Sequence, residues 1–313
     1  MLFIAVSLIA FFISYIITPF IALLGKKQNL VDKPGYRKIH NNAIPTLGGI
    51  VIFFGFLFSV LFLVPLQRQE QVLLAGSIII LLLGVVDDIA DLKPQIKFGI
   101  QMIPALLFIA FNNNLINQFI IEKLSSLNII GYLLYPILIL WIVGITNSIN
   151  LIDGLDGLAS GISIIALSTF LISGFFINKG YQIYNLLNSA LLGSTVAFFR
   201  YNFFPAQIFL GDSGSTFAGF FISSISILWV IYSGNVMLSM VPILILALPL
   251  FDTLFAIWRR CRSHKPIFQA DQGHLHHLLL KRGLSHRNVV LFLLSISAIC
   301  NLIAIGIVWL CLK

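Results

Sequence analysis

Charge is what this chain of 313 residues has least of: 10% of it is Asp, Glu, Lys or Arg, and only 11 residues are acidic. With 59% hydrophobic residues, a water-soluble fold would be left with more apolar surface than a monomer can hide. Cysteine is nearly missing as well. The 3 present, Cys261, Cys300 and Cys311, are too few and too scattered for a disulfide framework. No internal repeat, low-complexity linker or second soluble segment interrupts the chain, which excludes solenoids and tethered domains. A basic stripe interleaved with aromatics is also lacking, so no nucleic-acid partner is expected.

What is abundant is long apolar sequence. A helix needs about 20 residues to cross roughly 30 Å of hydrocarbon. Ten stretches meet or approach that length: 2–24, 48–66, 71–87, 97–112, 131–147, 157–178, 184–200, 214–232, 237–258 and 288–312. The expectation is an all-α polytopic integral membrane protein of about ten transmembrane helices, a single transmembrane domain over 1–313. The first stretch lacks a basic start, and no small-x-small cleavage site precedes Lys26–Lys27, so it reads as a retained helix rather than a signal peptide. Residues 113–130 read as an outer re-entrant or interfacial piece.

Fifteen of the 19 Lys and Arg residues fall in alternate connections, about 25–47, 87–97, 147–157, 200–214 and 259–287. By the positive-inside rule these loops face the cytoplasm and both termini lie outside. All 6 histidines and 8 of the 11 acids share those inner loops, so every candidate for chemistry faces one compartment. The net charge of +8 needs no further partner, because positive-inside loops and anionic headgroups account for most of it. In the longest inner loop, Leu275, Leu278, Leu279 and Leu280 suggest a short amphipathic helix at the interface.

Carboxylates beside hydrocarbon are costly and are usually kept for function. Here they gather in five places: Asp87-Asp88-x-x-Asp91, Asp153-Gly-Leu-Asp156, Asp212 in Leu-Gly-Asp-Ser-Gly-Ser, Asp252, and Asp271 before His274, His276 and His277. Brought near one another, Asp87, Asp88, Asp153, Asp156 and Asp212 would repel unless a cation sat among them. Oxygen ligands without thiolates favour a hard ion, Mg²⁺ with Mn²⁺ as a substitute. Gly154, Gly157, Gly211 and Gly214 beside the acids let backbone approach a phosphate. The combination suggests metal-assisted phosphoryl transfer at the membrane face.

Taken singly, several of these features have plain explanations. Asp87-Asp88 can be an interfacial stop, and Gly-Asp-Ser-Gly-Ser a turn with a helix cap. The histidine tract lacks the cysteine and regular spacing of a zinc site and can be a solvated loop. Asp252 can simply pair with Arg259 or Arg260. Asn147, Asn150 and Asp153 are harder to dismiss. They recur every third residue on one helix face and run straight into a glycine-rich turn.

Four motifs, in order, resemble the signatures of the polyprenyl-phosphate N-acetylhexosamine-1-phosphate transferases. They are Asp87-Asp88-x-x-Asp91, Asn147-x-x-Asn150-x-x-Asp153-Gly-Leu-Asp156-Gly-Leu-Ala, Asn202-Phe-Phe-Pro-Ala-x-x-Phe209-x-Gly-Asp212-Ser-Gly-Ser215, and Asp271-x-x-His274-Leu-His276-His277. The likeness runs from about Lys33 to Arg287. It is closer to the bacterial undecaprenyl-phosphate N-acetylglucosamine-1-phosphate transferases than to the muramoyl-pentapeptide enzyme of peptidoglycan synthesis. His-x-His-His followed by Gly283-Leu284-Ser285 discriminates them, and Ile39-His40 through Pro45-Thr46-Leu-Gly48-Gly49 lacks the lysine of the latter branch.

The resemblance implies a multi-pass enzyme of the bacterial inner membrane. It would use Mg²⁺, a UDP-N-acetylhexosamine donor and undecaprenyl phosphate drawn from membrane lipid, and release UMP. By the same resemblance Asp212 is the leading metal ligand, with Asp88 and Asn150 beside it, and Asp87, Asp88, Asp212, His276 and His277 form the catalytic set. Asn150, Asp153, Asp156, Phe209, His274, Lys97, Arg200 and Thr46 line the substrate pocket, with Phe209 stacked on uracil and the histidines on the donor pyrophosphate or sugar. Asp88 could serve as base, although a lipid phosphate is already largely ionised and positioning matters more. Basic residues common in the family are replaced here by Gln95 and Gln207, with Lys97 and Arg200 as the nearest substitutes. A homodimer is compatible with the sequence. A secondary transporter is the rival class, although its acids should lie nearer the midplane.

Overall fold

Apolar runs of this length must satisfy their own backbone groups in lipid, and helices are how this chain does it. A computed structural model describes residues 1–32, 43–124, 130–177, 179–264, 266 and 273–312. The helices are α1 (Leu2–Lys27), α2 (Gly48–Leu63), α3 (Arg68–Ala90), α4 (Pro94–Phe111), α5 (Asn113–Leu124), α6 (Ile130–Leu151) and α7 (Leu158–Gly174). They continue with α8 (Gln182–Asn202), α9 (Gly211–Ser233), α10 (Met240–Ile245), α11 (Ala247–Arg262), α12 (Leu275–Lys281) and α13 (His286–Leu312). The one sheet among the described residues is a two-stranded antiparallel ribbon, β1 (Val31–Asp32) with β2 (Ile44–Pro45).

Each of the ten expected apolar stretches is helical, but they are not equivalent. Among the described residues six helices are long and apolar enough to cross a membrane: α1, α3, α4, α6, α9 and α13. The ninth stretch breaks at Leu246 into two arms bent by 78°, which count as a seventh span if taken together. Helices α2 and α7 have 16 and 17 residues, shorter than a full crossing. Helix α8 is long but carries Asn185, Asn188, Ser189, Ser194 and Thr195 in its buried face. Interhelical packing through small and polar residues dilutes its apolar character. The outer piece expected at 113–130 is helix α5 as far as Leu124, and the expected amphipathic segment is α12.

Helix α9 is the hub. Residues Ser213 to Trp229 are all buried, and α9 packs against α2, α3, α6 and α7. Aromatic edge contacts fasten it to α2, with Phe53 and Phe217 centroids 5.4 Å apart and Phe56 and Phe221 5.3 Å apart. Asp212, in the first turn of this hub, is thereby fixed from several sides.

Candidate active site

The inner-loop acids come together because helix ends meet there. Residues 44–49 lie along the segment that enters α9: Phe209 donates its N–H to the Pro45 carbonyl at 2.8 Å, and Gly48 and Gly49 donate to the Phe209 and Leu210 carbonyls at 3.0 Å each. Asn202 ties the α8–α9 connection, accepting from Ser160 Oγ at 2.6 Å and donating to the Ile208 carbonyl at 3.0 Å. These bonds bring Thr46, Phe209 and Asp212 to the wall of one cavity of about 1090 Å³. Asp87, Asp88, Asn150, Asp153, Asp156 and His277 line it too.

One ammonium and two carboxylates form the charged centre. Lys97 Nζ is ion-paired with Asp87 and lies 3.2 Å from Asp212 Oδ2. Asp87 Oδ1 accepts the Leu92 N–H at 2.8 Å, which closes the end of α3. Asp212 Oδ1 accepts from Asn150 Nδ2 at 2.6 Å, and the same amide reaches Ser215 Oγ at 2.9 Å. Asn147, one turn earlier on α6, donates to Gln101 Oε1 at 2.6 Å and so braces α6 against α4.

Asp88 and Asn150, expected as metal ligands beside Asp212, both contact it. Asp88 accepts the backbone N–H groups of Asp212 and Ser213, and Asn150 turns its amide nitrogen to Asp212 as a donor. Asp87 and Asp212 are the carboxylates that share a cation, the Lys97 ammonium. Hard oxygen donors are what a divalent ion of the Mg²⁺ type takes, but among the described residues no group of three or more His, Cys, Asp or Glu is placed to hold a metal ion.

The glycine-rich turn after α6 forms the opposite wall. Asp156 Oδ2 accepts the Ala206 N–H at 3.0 Å, and the Asp156 N–H is accepted by His286 Nε2 at 3.0 Å. Burial, followed by the charges of Asp212, Asp88 and Asp156, pushes the Asp153 carboxyl well above the ordinary carboxylate range.

The histidines divide. His277 lines the cavity, whereas His274 and His276 are buried behind it. His274 Nδ1 meets Asp252 Oδ2 at 2.8 Å, and Asp252 Oδ1 accepts the Leu275 N–H at 2.8 Å. Asp252, which the sequence suggested would pair with Arg259 or Arg260, thus orients a histidine and caps α12. His276 lies between the rings of His274, 5.9 Å away, and His277, 4.2 Å away. Burial, followed by the charge of His277, pushes it down to about 4, so it is neutral. Its ring fits against Gly154, where an added Cβ would come within 2.8 Å of His276 Cε1.

Arg200, expected on a substrate phosphate, is exposed at the end of α8 and is not among the residues lining the cavity. Asp271 and His40 lie outside the described residues. Sequence reasoning assigned no role to His286, whose ring lies 4.7 Å from that of Phe204 and which lines the cavity with Lys26, Asp91 and Gln207. The signal stood one residue beyond Gly283-Leu284-Ser285, hidden as the first residue of the last apolar helix.

A multi-pass helical membrane protein whose helix ends enclose a carboxylate-rich cavity with one lysine at its charged centre belongs to the class of membrane enzymes that handle anionic substrates at the bilayer face. Residues 71–230 match the model of glycosyl transferase family 4. Over 291 residues the chain is 40% identical to a probable undecaprenyl-phosphate N-acetylglucosaminyl 1-phosphate transferase of Bacillus subtilis, covering 91% of this chain and 80% of the relative. An undecaprenyl-phosphate alpha-N-acetylglucosaminyl 1-phosphate transferase of Thermotoga maritima is 31% identical, covering 94% and 87%. One of the same name from Pasteurella multocida is 33% identical, covering 96% and 85%. The chain belongs to glycosyl transferase family 4, as its four motifs suggested.

Proposed function

We propose that the protein transfers N-acetylglucosamine 1-phosphate from UDP-N-acetylglucosamine to undecaprenyl phosphate, giving the lipid diphosphate sugar and UMP. The observation that carries this reading is that Asp87 and Asp212, both on the cavity wall, converge on the Lys97 ammonium, which itself is not among the lining residues. The names of the family relatives support it. An oxygen of the lipid phosphate attacks the β-phosphorus of the donor, and the bond from that phosphorus to the bridging oxygen breaks, its electron pair leaving with UMP. Little covalent chemistry falls to the protein, so positioning and charge neutralisation dominate.

Lys97 supplies positive charge where the diphosphate must lie. Asp87 and Asp212 would hold Mg²⁺, which when bound screens the donor pyrophosphate and favours departure of UMP. Asn150 keeps the Asp212 carboxylate aimed. Phe209 offers a ring to uracil, and His277 lies within reach of the pyrophosphate or sugar. The proposal includes about ten spans with both termini outside, so that the cavity opens to the cytoplasm of a bacterial cell at its inner membrane.

The test is to incubate purified protein with undecaprenyl phosphate, Mg²⁺ and a panel of UDP-sugars, and to measure UMP. UDP-N-acetylglucosamine should give the largest release. UMP from none of the sugars would refute the reading, and preference for another N-acetylhexosamine would correct the donor.

A further inference from the structure

We propose that Asp88 is a positioning residue. Its carboxylate caps the first turn of α9 and so aims Asp212, and it neither transfers a proton nor binds a cation. The inference rests on the function proposed above. Asp88 Oδ1 accepts the Asp212 N–H at 2.7 Å and Oδ2 accepts the Ser213 N–H at 3.2 Å. A helix leaves its first four N–H groups without intrahelical partners, and a negative charge at that end is favoured by the helix dipole. Asp88 satisfies two of the four from another helix.

The seat for this carboxylate is built into the backbone. Gly211 has φ +74°, and a Cβ placed on it would stand 2.9 and 3.0 Å from the two Asp88 oxygens. Any side chain there would be strained, and its Cβ would crowd the Thr46 carbonyl oxygen first and the Asp88 carboxylate next. One turn before Asp88, Gly84 lets α3 ride on the same turn, for a Cβ there would come within 2.5 Å of Ser213 N. Two glycines on two helices thus allow the close approach of α3, the start of α9 and the Thr46 backbone that brings Asp88 to these amides. Asp87, adjacent in sequence, points elsewhere and pairs with Lys97. Neighbouring residues on a helix face directions about 100° apart, so one aspartate can serve the charged centre while the other holds the hub.

The test compares Asp88→Asn, Asp88→Ala, Gly211→Ala and the Asp88→Ala/Gly211→Ala double variant in the full-length protein. Asparagine keeps one carbonyl acceptor for the Asp212 N–H, so Asp88→Asn should stay within about tenfold of native kcat, one hydrogen bond's worth. Its pH–rate profile should not move. Asp88→Ala should lose at least about 100-fold in kcat, with donor KM changed far less, as both amides lose their partner. Amide exchange over residues 211–215 should accelerate in Asp88→Ala and in Gly211→Ala. The double variant should lose less than the product of the two single losses, because the Asp88 contact is shared by both changes.

The proposal is overturned if Asp88→Asn is as inactive as Asp88→Ala while exchange over 211–215 stays native, or if Asp88→Asn loses the acid limb of the pH profile. Losses that multiply in full in the double variant would also overturn it. Absence of UMP release by the native protein would sink the functional reading instead, while amide exchange would still report whether Asp88 holds α9.

Discussion

Asp252 Oδ2 lies 2.8 Å from His274 Nδ1, and both residues are buried. A carboxylate at that nitrogen keeps a proton on Nδ1. The other Asp252 oxygen holds the Leu275 N–H, so α11 fixes both the ring of His274 and the start of the helix that carries His276 and His277. Asp252→Ala should lower kcat/KM for the donor by about 10- to 100-fold, the loss expected when a charged hydrogen-bond partner is removed from a buried pair. UMP-release kinetics check this. A native rate in that variant would reduce the pair to packing.

Lys97 makes the opposite case, a residue whose removal should help one measurement and harm another. Its ammonium lies between Asp87 and Asp212, and Lys97→Gln leaves two carboxylates facing each other unscreened. The more negative site should bind Mn²⁺ at least about threefold more tightly by electron paramagnetic resonance, since unlike charges at this range interact by several tenths of a kcal/mol or more even when screened. Turnover should fall by about 100-fold or more, because the same charge clamps the transferring phosphoryl group. If affinity for Mn²⁺ falls together with turnover, Lys97 is a scaffold for the ligands rather than a charge beside them.

Much of this site was legible in the chain, for a physical reason. Carboxylates are so scarce here that each cluster beside hydrocarbon marks a place where something must offset its cost. Asp87, Asn150, Asp153, Asp156, Phe209 and Asp212 do meet at one cavity. Partners could not be read. Whether a carboxylate faces a cation, a backbone amide or a histidine depends on how helix ends meet, and nothing in the spacing of Asp87 and Asp88 separates their directions of use. Arg200 shows the same limit from the other side, a basic residue near the motifs in sequence whose side chain turns away. The span count was blurred because α8 hides polar groups inside the bundle and the ninth stretch breaks at Leu246. Composition alone sees neither packing nor bend.

Gly154 is the position where a single added carbon should separate structure from chemistry. A Cβ there would come within 2.8 Å of His276 Cε1, and the ring is buried with no room to retreat. Gly154→Ala should therefore lower the thermal midpoint by several degrees, about 1–3 kcal/mol of overpacking. It should also raise donor KM, since Gly154 and His277 share the cavity wall. Scanning fluorimetry and UMP kinetics together check it. An unchanged midpoint would mean that α12 does not dock on this turn.

Two buried groups should give thermal stability opposite slopes with pH. His276 titrates at about 4 in the folded protein, below its ordinary value near 6.5, because burial disfavours the imidazolium. The unfolded chain therefore binds more protons between those values. Its contribution to stability is complete above pH 6.5 and is lost as pH falls toward 4, up to about 3 kcal/mol. Asp153 is shifted the other way, well above 3.8, so its contribution is present below that value and is lost as pH rises through its folded pKa. The midpoint of thermal inactivation should thus fall from pH 7 to pH 5, and His276→Gln should flatten that fall. Asp153→Asn should raise the midpoint at pH 8 relative to the native protein, because the neutral amide removes the cost of ionising a buried carboxyl among other carboxylates. A midpoint at pH 8 no higher than native in Asp153→Asn would show that the carboxylate is compensated where it stands.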